Sequence, residues 1–212
     1  MMKIKRVVKK VLVIGVATVA SSLFADTETV NGYTWTFSVA NGAARIGAID
    51  DFGDDARAVD PVPTGTLEIP AVLGGVPVKA IAPHILGWEV NNLTKLVVPE
   101  TVETIEYCAF YSSSIKVFVL PSSLKTIGSQ AFDCNNDLET LVIPENVEVF
   151  EGGLGQCREL RSLYFKGNAP ANCEGLGARL SMTTYVVPGS TGWKEPGSAE
   201  LPEQWKDRPI KA

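Results

Sequence analysis

The sequence predicts a solenoid, a stack of short similar coils whose inward side chains share one interior. Three observations predict it. Prolines at 99, 121, 144 and 188 stand 22, 23 and 44 residues apart, the last step being twice 22. One apolar spacing recurs before each of them. No unit holds enough apolar residues to close its own core, so each must be covered by its neighbours. A sandwich of evenly spaced strands leaves that register unexplained.

The elements follow in order. Leu93, Leu96 and Val98 lead into Pro99; Ile115, Phe118 and Leu120 lead into Pro121; Leu138, Leu141 and Ile143 lead into Pro144. Leu160, Leu163 and Phe165 repeat the spacing with Lys166 in the proline position, and Met182, Tyr185 and Val187 lead into Pro188. A stretched first unit, Leu67, Ile69 and Pro70, precedes a turn-rich insertion at Gly74-Gly75-Val76-Pro77. Each spacing alternates near its end and reads as a short strand, and stacked strands would make a parallel sheet. Proline after the strand lacks the N–H that a ladder needs, so it ends the pairing. A second apolar pair follows each proline: Val78 with Ile81, Val102 with Ile105, Leu124 with Ile127, Val147 with Phe150. A third follows in Ile85-Leu86, Ala109-Phe110 and Ala131-Phe132, with Leu154 alone in the later unit. The Ala-Phe step is expected on the far side of the coil, in one turn of helix or 3₁₀, with Phe110 over Phe132.

The run 122–134, which contains Leu124, Ile127, Gly128, Ala131, Phe132 and Cys134, together with Leu138-Glu139-Thr140-Leu141-Val142-Ile143-Pro144, resembles the BspA-like, or treponemal-type, leucine-rich repeat. The resemblance spans about Leu67 to Pro188. It departs from the pattern at Lys166, at Gly153-Leu154 in place of Ala-Phe, and at Ser113 where a Cys would stand. It implies a leucine-rich repeat solenoid, β-rich within the α/β repeat class. The implied coil has a parallel concave sheet and short turns or 3₁₀ on the convex side. It also implies an exported or surface protein that acts in adhesion and protein binding without catalysis.

The ends are expected to behave as caps, because terminal coils have no outer neighbour. Residues 26–62 contain the alternating Thr34–Val39, a turn at Asn41-Gly42, and Ala43–Ile46, which together read as a β-hairpin laying Trp35 and Phe37 over the first coil of the solenoid at 63–188. The stretch 189–212 carries Trp193 and Trp205 and reads as a wrapping tail; the other reading makes them, or Trp88, sugar-stacking aromatics of a carbohydrate-binding module. Residues 1–25 have the layout of a secretory signal peptide: five basic residues, an apolar run from Val11 to Ala20, and a small residue, Ala25, before the cut. The run is short for a membrane span, so the mature chain is expected to have none.

Formal charge is −5, and without the leader the chain holds 14 basic against 24 acidic residues. So acidic a chain is a poor match to a phosphate backbone, and nucleic acid is not an expected partner. The single His, His84, sits between Pro83 and Ile85 with no G-x-S-x-G elbow in the chain, and no glycine-rich phosphate loop precedes a helix pattern. Neither an enzyme nor a bound cofactor is expected. Asp50, Asp51, Asp54, Asp55 and Asp60 crowd one loop without the calcium-loop pattern. No C-x-x-C occurs, which argues against zinc. Cys134 and Cys157 each lie 13 residues after their prolines. Equivalent positions on stacked coils fall within disulfide range, which permits a bridge. The resemblance implies the other reading, in which the Cys is a small buried side chain at the turn.

What remains is surface. If Leu96, Phe118, Leu141, Leu163 and Tyr185 point inward, a candidate binding face of Lys95, Val97, Val119, Thr140, Val142, Ser162, Tyr164 and Val186 points outward, with Val117 and Thr184 beside it. Such a stripe suits a protein ligand or a glycan, and a further reading is a structural spacer in a cell-surface layer that self-associates. Equally, β-branched residues suit strands even when nothing binds them.

Overall fold

The structure is a computed structural model that describes residues 25–47, 57–86, 90, 92–171, 173, 182–193, 202, 204–205 and 208–212. Residues 1–24 of the expected leader, Trp88, and the loop aspartates 50, 51, 54 and 55 lie outside them. The described residues form a β-solenoid of stacked parallel strands with two sheets along its length.

The first sheet is built from the strands that lead into the prolines. Gly65–Glu68, Leu93–Val97 and Val117–Val119 pair in parallel, and Thr140–Ile143, Ser162–Phe165, Thr183–Val186 and Arg208–Lys211 continue the row. No ladder joins Val117–Val119 to Thr140–Ile143, although the two strands remain neighbours. Its inward column is Leu67, Leu96, Phe118, Leu141, Leu163, Thr184 and Ile210, all buried.

The second sheet runs through the apolar pairs after each proline. Val76–Ile81, Thr104–Ile105, Thr126–Ile127 and Val149–Phe150 pair in parallel, and Ala43–Ile46 joins Val76–Ile81. Ile46, Ile81, Ile105, Ile127 and Phe150 form one fully buried column. Each removes a large aliphatic or aromatic side chain from water, worth about 1.5–3 kcal/mol apiece. Phe118 lies 4.9 Å from Phe132 and 5.5 Å from Phe110 by ring centroid, and Phe110 lies 5.9 Å from Phe132, so the first sheet meets the turn side through aromatic contact, while Phe150 of the second sheet lies 6.0 Å from Phe165 of the first.

The third side of the coil corrects the sequence reading. The Ala-Phe steps lie in hydrogen-bonded turns, and neither a helix nor a 3₁₀ segment occurs among the described residues. Bonds such as Ala131 N–H to Gly128 O (3.4 Å) and Asp133 N–H to Gln130 O (3.2 Å) are single turns that a left-handed residue interrupts. His84, Cys108 and Gln130 hold that left-handed position in successive coils, with φ of 51°, 50° and 57°. Gly153 (φ 93°) takes it in the next coil, where an added Cβ would lie 2.2 Å from the Gln130 nitrogen. Leu154 therefore stands at the Ala position and Gly155 at the Phe position, one place later than the sequence suggests.

Beside this column runs a buried polar one. Asn135 donates from Nδ2 to Phe110 O (2.9 Å) and Phe132 O (2.8 Å), and its Oδ1 accepts from Ile115 N–H (3.1 Å). Ser113 donates to Phe110 O at 3.0 Å, and Cys157 donates to Phe132 O at 3.1 Å. Of the two readings of Cys134 and Cys157, the bridge is not formed and both are thiols. Cys134 lies four residues before Leu138, whereas Cys157 lies three before Leu160. The shorter turn moves Cys157 into the Asn135 column.

At the amino-terminal end, Tyr33–Ala40 pairs antiparallel with Ala43–Ile46 through Asn41-Gly42, both at positive φ, and buries Trp35 and Phe37. Asp26–Val30 adds a further antiparallel strand through Asn31-Gly32, which the sequence reading did not separate. The 74–77 insertion is a third tight hairpin, Val72–Leu73 with the start of Val76–Ile81. Gly74 N–H donates to the buried Glu28 carboxylate at 2.7 Å.

Asn135→Leu keeps the side-chain volume, and Ser113 and Cys157 still donate to the two carbonyls, but the buried Ile115 N–H loses its acceptor. The expected loss is about 1–3 kcal/mol in urea unfolding.

Candidate binding face

The outward side of the first sheet carries two residue columns. Strand pairing aligns Thr66, Lys95 and Val117 in one and Glu68, Val97 and Val119 in the other. Beyond the interruption they continue as Thr140, Ser162 and Thr183, and as Val142, Tyr164, Tyr185 and Lys211. Among the candidate residues, Val119, Thr140 and Tyr164 are exposed, and Lys95, Val97, Val142 and Ser162 are half-buried. Val117, Val119 and Tyr164 expose 47%, 41% and 39% of their surface, more than packing within the stack requires.

Val186 points inward and reaches this face only at the wall of the groove beside Tyr164. It is buried beside Phe165, while Tyr185 points outward and Thr184, also expected outside, is buried in the inward column. The step from Leu141 to Leu163 is 22 residues, but from Leu163 to Thr184 only 21. With a side-chain period of two, one missing residue turns every side chain of the strand over. Tyr185 then stacks on Tyr164, with centroids 4.5 Å apart and planes at 12°. Thr140, Val142, Tyr164, Tyr185, Val187 and Pro188 line a groove of about 450 Å³, with Lys166 also on its wall. The groove is almost wholly apolar.

The outward side of the second sheet has the opposite character. Lys79, Glu103, Lys125 and Glu148 occupy one position in four successive coils and alternate in sign. Glu103 bridges the first three, with Lys125 Nζ at 2.7 Å from one oxygen and Lys79 on the other. The hydrogen bond from Lys125, then that from Lys79, holds the Glu103 carboxyl down at about 2. Arg45 adds a bidentate pair to Glu106 at 2.7 and 2.8 Å.

The turn side shows no activated group. Burial pushes the Cys108 thiol up, the reverse of what a nucleophile needs. A hydrogen bond with Cys134 pushes Tyr111 up to about 12. His84 serves in a left-handed turn, edge-on to Tyr111 at 6.1 Å. Among the described residues no group of three or more His, Cys, Asp or Glu side chains could hold a metal ion.

Of the tryptophans proposed for sugar stacking, Trp193 is buried, 4.8 Å from the Phe165 ring, and donates from Nε1 to Gly167 O at 3.3 Å. Gln204–Trp205 is a short strand antiparallel to Arg208–Lys211. No helix among the described residues is long and apolar enough to cross a membrane.

Stacked parallel strands on a repeat of 21 to 23 residues, each with an inward leucine-type column, define a leucine-rich repeat solenoid. Residues 87–180 match the BspA type Leucine rich repeat region in six copies. Over that stretch the repeats are similar to leucine-rich repeats of the BspA type. Among solved structures, the pneumococcal vaccine antigen PcpA is similar over 77% of this chain and 43% of that one, at 19% identity and a TM-score of 0.51. The leucine-rich repeat protein TpLRR of T. pallidum is similar over 74% of this chain and 82% of that one, at 18% identity and a TM-score of 0.45. This chain thus spans less than half of the PcpA chain. No curated protein matches the sequence.

Two outcomes are expected from these geometries. The folded-state pKa of Glu103 is depressed, so its stabilisation is complete above the ordinary value of 4.5 and is lost as pH falls toward 2. Urea midpoints of Glu103→Gln should therefore fall less than wild type between those two pH values. Trp193→Ala should cost about 3–5 kcal/mol in the same assay, because it empties a packed site.

Proposed function

We propose that this chain is an exported, non-enzymatic binding module that holds another protein against the outward face of its first sheet. The single observation that carries the reading is the contrast between the two sheets. One presents a charged ladder closed on itself; the other presents exposed Val117, Val119 and Tyr164 beside an apolar groove. Exposed apolar surface gathered in one place marks a contact site, and an aromatic pair at its centre is the type of anchor that carries most interface energy. The BspA-type repeats support the same reading, since stacked repeats present extended binding surfaces. Adhesion at a cell surface is the setting in which the leader and a rigid repeat array make sense together. In this reading residues 26–62 and 189–212 close the two ends of the stack.

A protein ligand is favoured over a glycan. Sugars need convergent hydrogen-bonding groups beside an aromatic, whereas the groove around Tyr164 is apolar and Trp193 is enclosed. Affinity capture from the extracellular or periplasmic fraction tests the proposal. Wild type is expected to retain protein partners that Tyr164→Asp releases, with the melting temperature nearly unchanged. A large fall in melting temperature would make Tyr164 part of the core and remove the reading.

A further inference from the structure

We infer that a second copy of this chain is the partner that fits the face, in a two-fold dimer with the first sheets packed together. The inference rests on the reading of that face as a contact surface. What carries it is the order of residues along the outward column: Glu68, Val97, Val119, Val142, Tyr164, Tyr185 and Lys211. The column begins with an acid, ends with a base, and is apolar between them. Its first half is small and its second half is large.

A two-fold axis through Val142 sets this column against its own reverse. Val119 then faces the partner's Tyr164, Val97 faces the partner's Tyr185, and Glu68 faces the partner's Lys211. Each tyrosine meets a valine, so a long side chain opposes a short one on both sides of the Val142 pair at the axis, as sheets about 10 Å apart allow. The 450 Å³ groove beside Tyr164 and Tyr185 is the space into which the opposing valines go. Glu68 and Lys211 are both exposed, and each is left with an opposite charge across the interface. A parallel arrangement would set tyrosine on tyrosine, valine on valine and like charge on like charge. The antiparallel arrangement is the complementary one.

The size of the face sets the strength. Seven strands at about 4.8 Å extend roughly 30 Å. With two outward positions per strand, the contact buries on the order of 900 Å² over both copies, near the lower limit for a specific interface. The dimer is therefore weak and reversible.

Sedimentation equilibrium on the purified protein over a concentration series tests it. Wild type is expected to associate reversibly to a dimer. Glu68→Lys alone and Lys211→Glu alone each set like charges together twice per dimer, and each should weaken association roughly tenfold. An equimolar mixture of the two variants restores both opposite-charge pairs in the mixed dimer, and association should return to the wild-type strength. That rescue distinguishes facing columns from a general effect of charge. Association that ignores both substitutions, or a mixture no stronger than its components, overturns the proposal. A protein that stays monomeric at every concentration while still capturing another protein through Tyr164 overturns the dimer and leaves the binding reading in place. Loss of Tyr164 dependence in capture as well removes both.

Discussion

The structure depends on one constraint: no coil can bury its own apolar residues, so each must lie directly over the same residues of the next. The columns Leu67 to Ile210 and Ile46 to Phe150 are that constraint made visible. Backbone hydrogen bonds follow from it, because coils stacked residue over residue bring N–H groups to carbonyls of the neighbouring coil all the way round. Glu103 N–H to Lys79 O, Lys125 N–H to Glu103 O and Glu148 N–H to Lys125 O are the same bond in three consecutive coils. The turns repeat the pattern in Cys108 N–H to Ser129 O and Phe110 N–H to Ala131 O. Stability in such a stack is a sum of contacts between neighbours, so a fault in one coil is felt mainly by the two beside it.

Faults of one residue have different results on different sides of the coil. In a turn, a change of length shifts which side chain enters the buried polar column. That is how Ser113, Asn135 and Cys157 come to share a role despite unlike chemistry. In a strand the same change reverses inside and outside. The 21-residue step that brings Tyr185 out also brings Thr184 in, and its hydroxyl is buried with no hydrogen-bond partner. A buried hydroxyl left unpaired costs about 1–3 kcal/mol. This coil therefore holds a polar group where the others hold leucine or phenylalanine, in exchange for the Tyr164–Tyr185 stack.

Much of this was legible in the sequence. The apolar spacing before each proline identified the first sheet, and four of its five expected inward residues were right because burial and period agree there; the fifth, Tyr185, points outward. The Asn41-Gly42 hairpin was legible for a similar reason, since only residues that tolerate positive φ suit a two-residue turn. The second sheet escaped notice as a sheet because its strands are two residues long, too short for a period to show. The missing residue before Thr184 escaped because Met182 and Pro188 both keep the expected spacing, which hides a compensating shift between them. The cysteines show a related effect: distance from the preceding proline matters less than distance to the next inward leucine. Of the eight candidate face residues, seven lie outward as expected; Val186 was lost to the shift that exposed Tyr185.

The two outward faces differ in a way that folding does not require. Inward positions must be apolar, the left-handed turn position favours small or polar residues, and the buried column beside it needs a donor. Outward strand positions answer to none of these demands. Beside the short strands of the second sheet stand Lys79, Glu103 and Lys125, whose alternating signs satisfy one another within the molecule. On the first sheet the outward positions carry valines and stacked tyrosines that no other part of the described chain covers. Strand preference accounts for the valines, and it equally places Thr104, Thr126 and Val149 at the outward strand positions of the second sheet. The asymmetry is one of ion pairs flanking one sheet and exposed apolar side chains on the other.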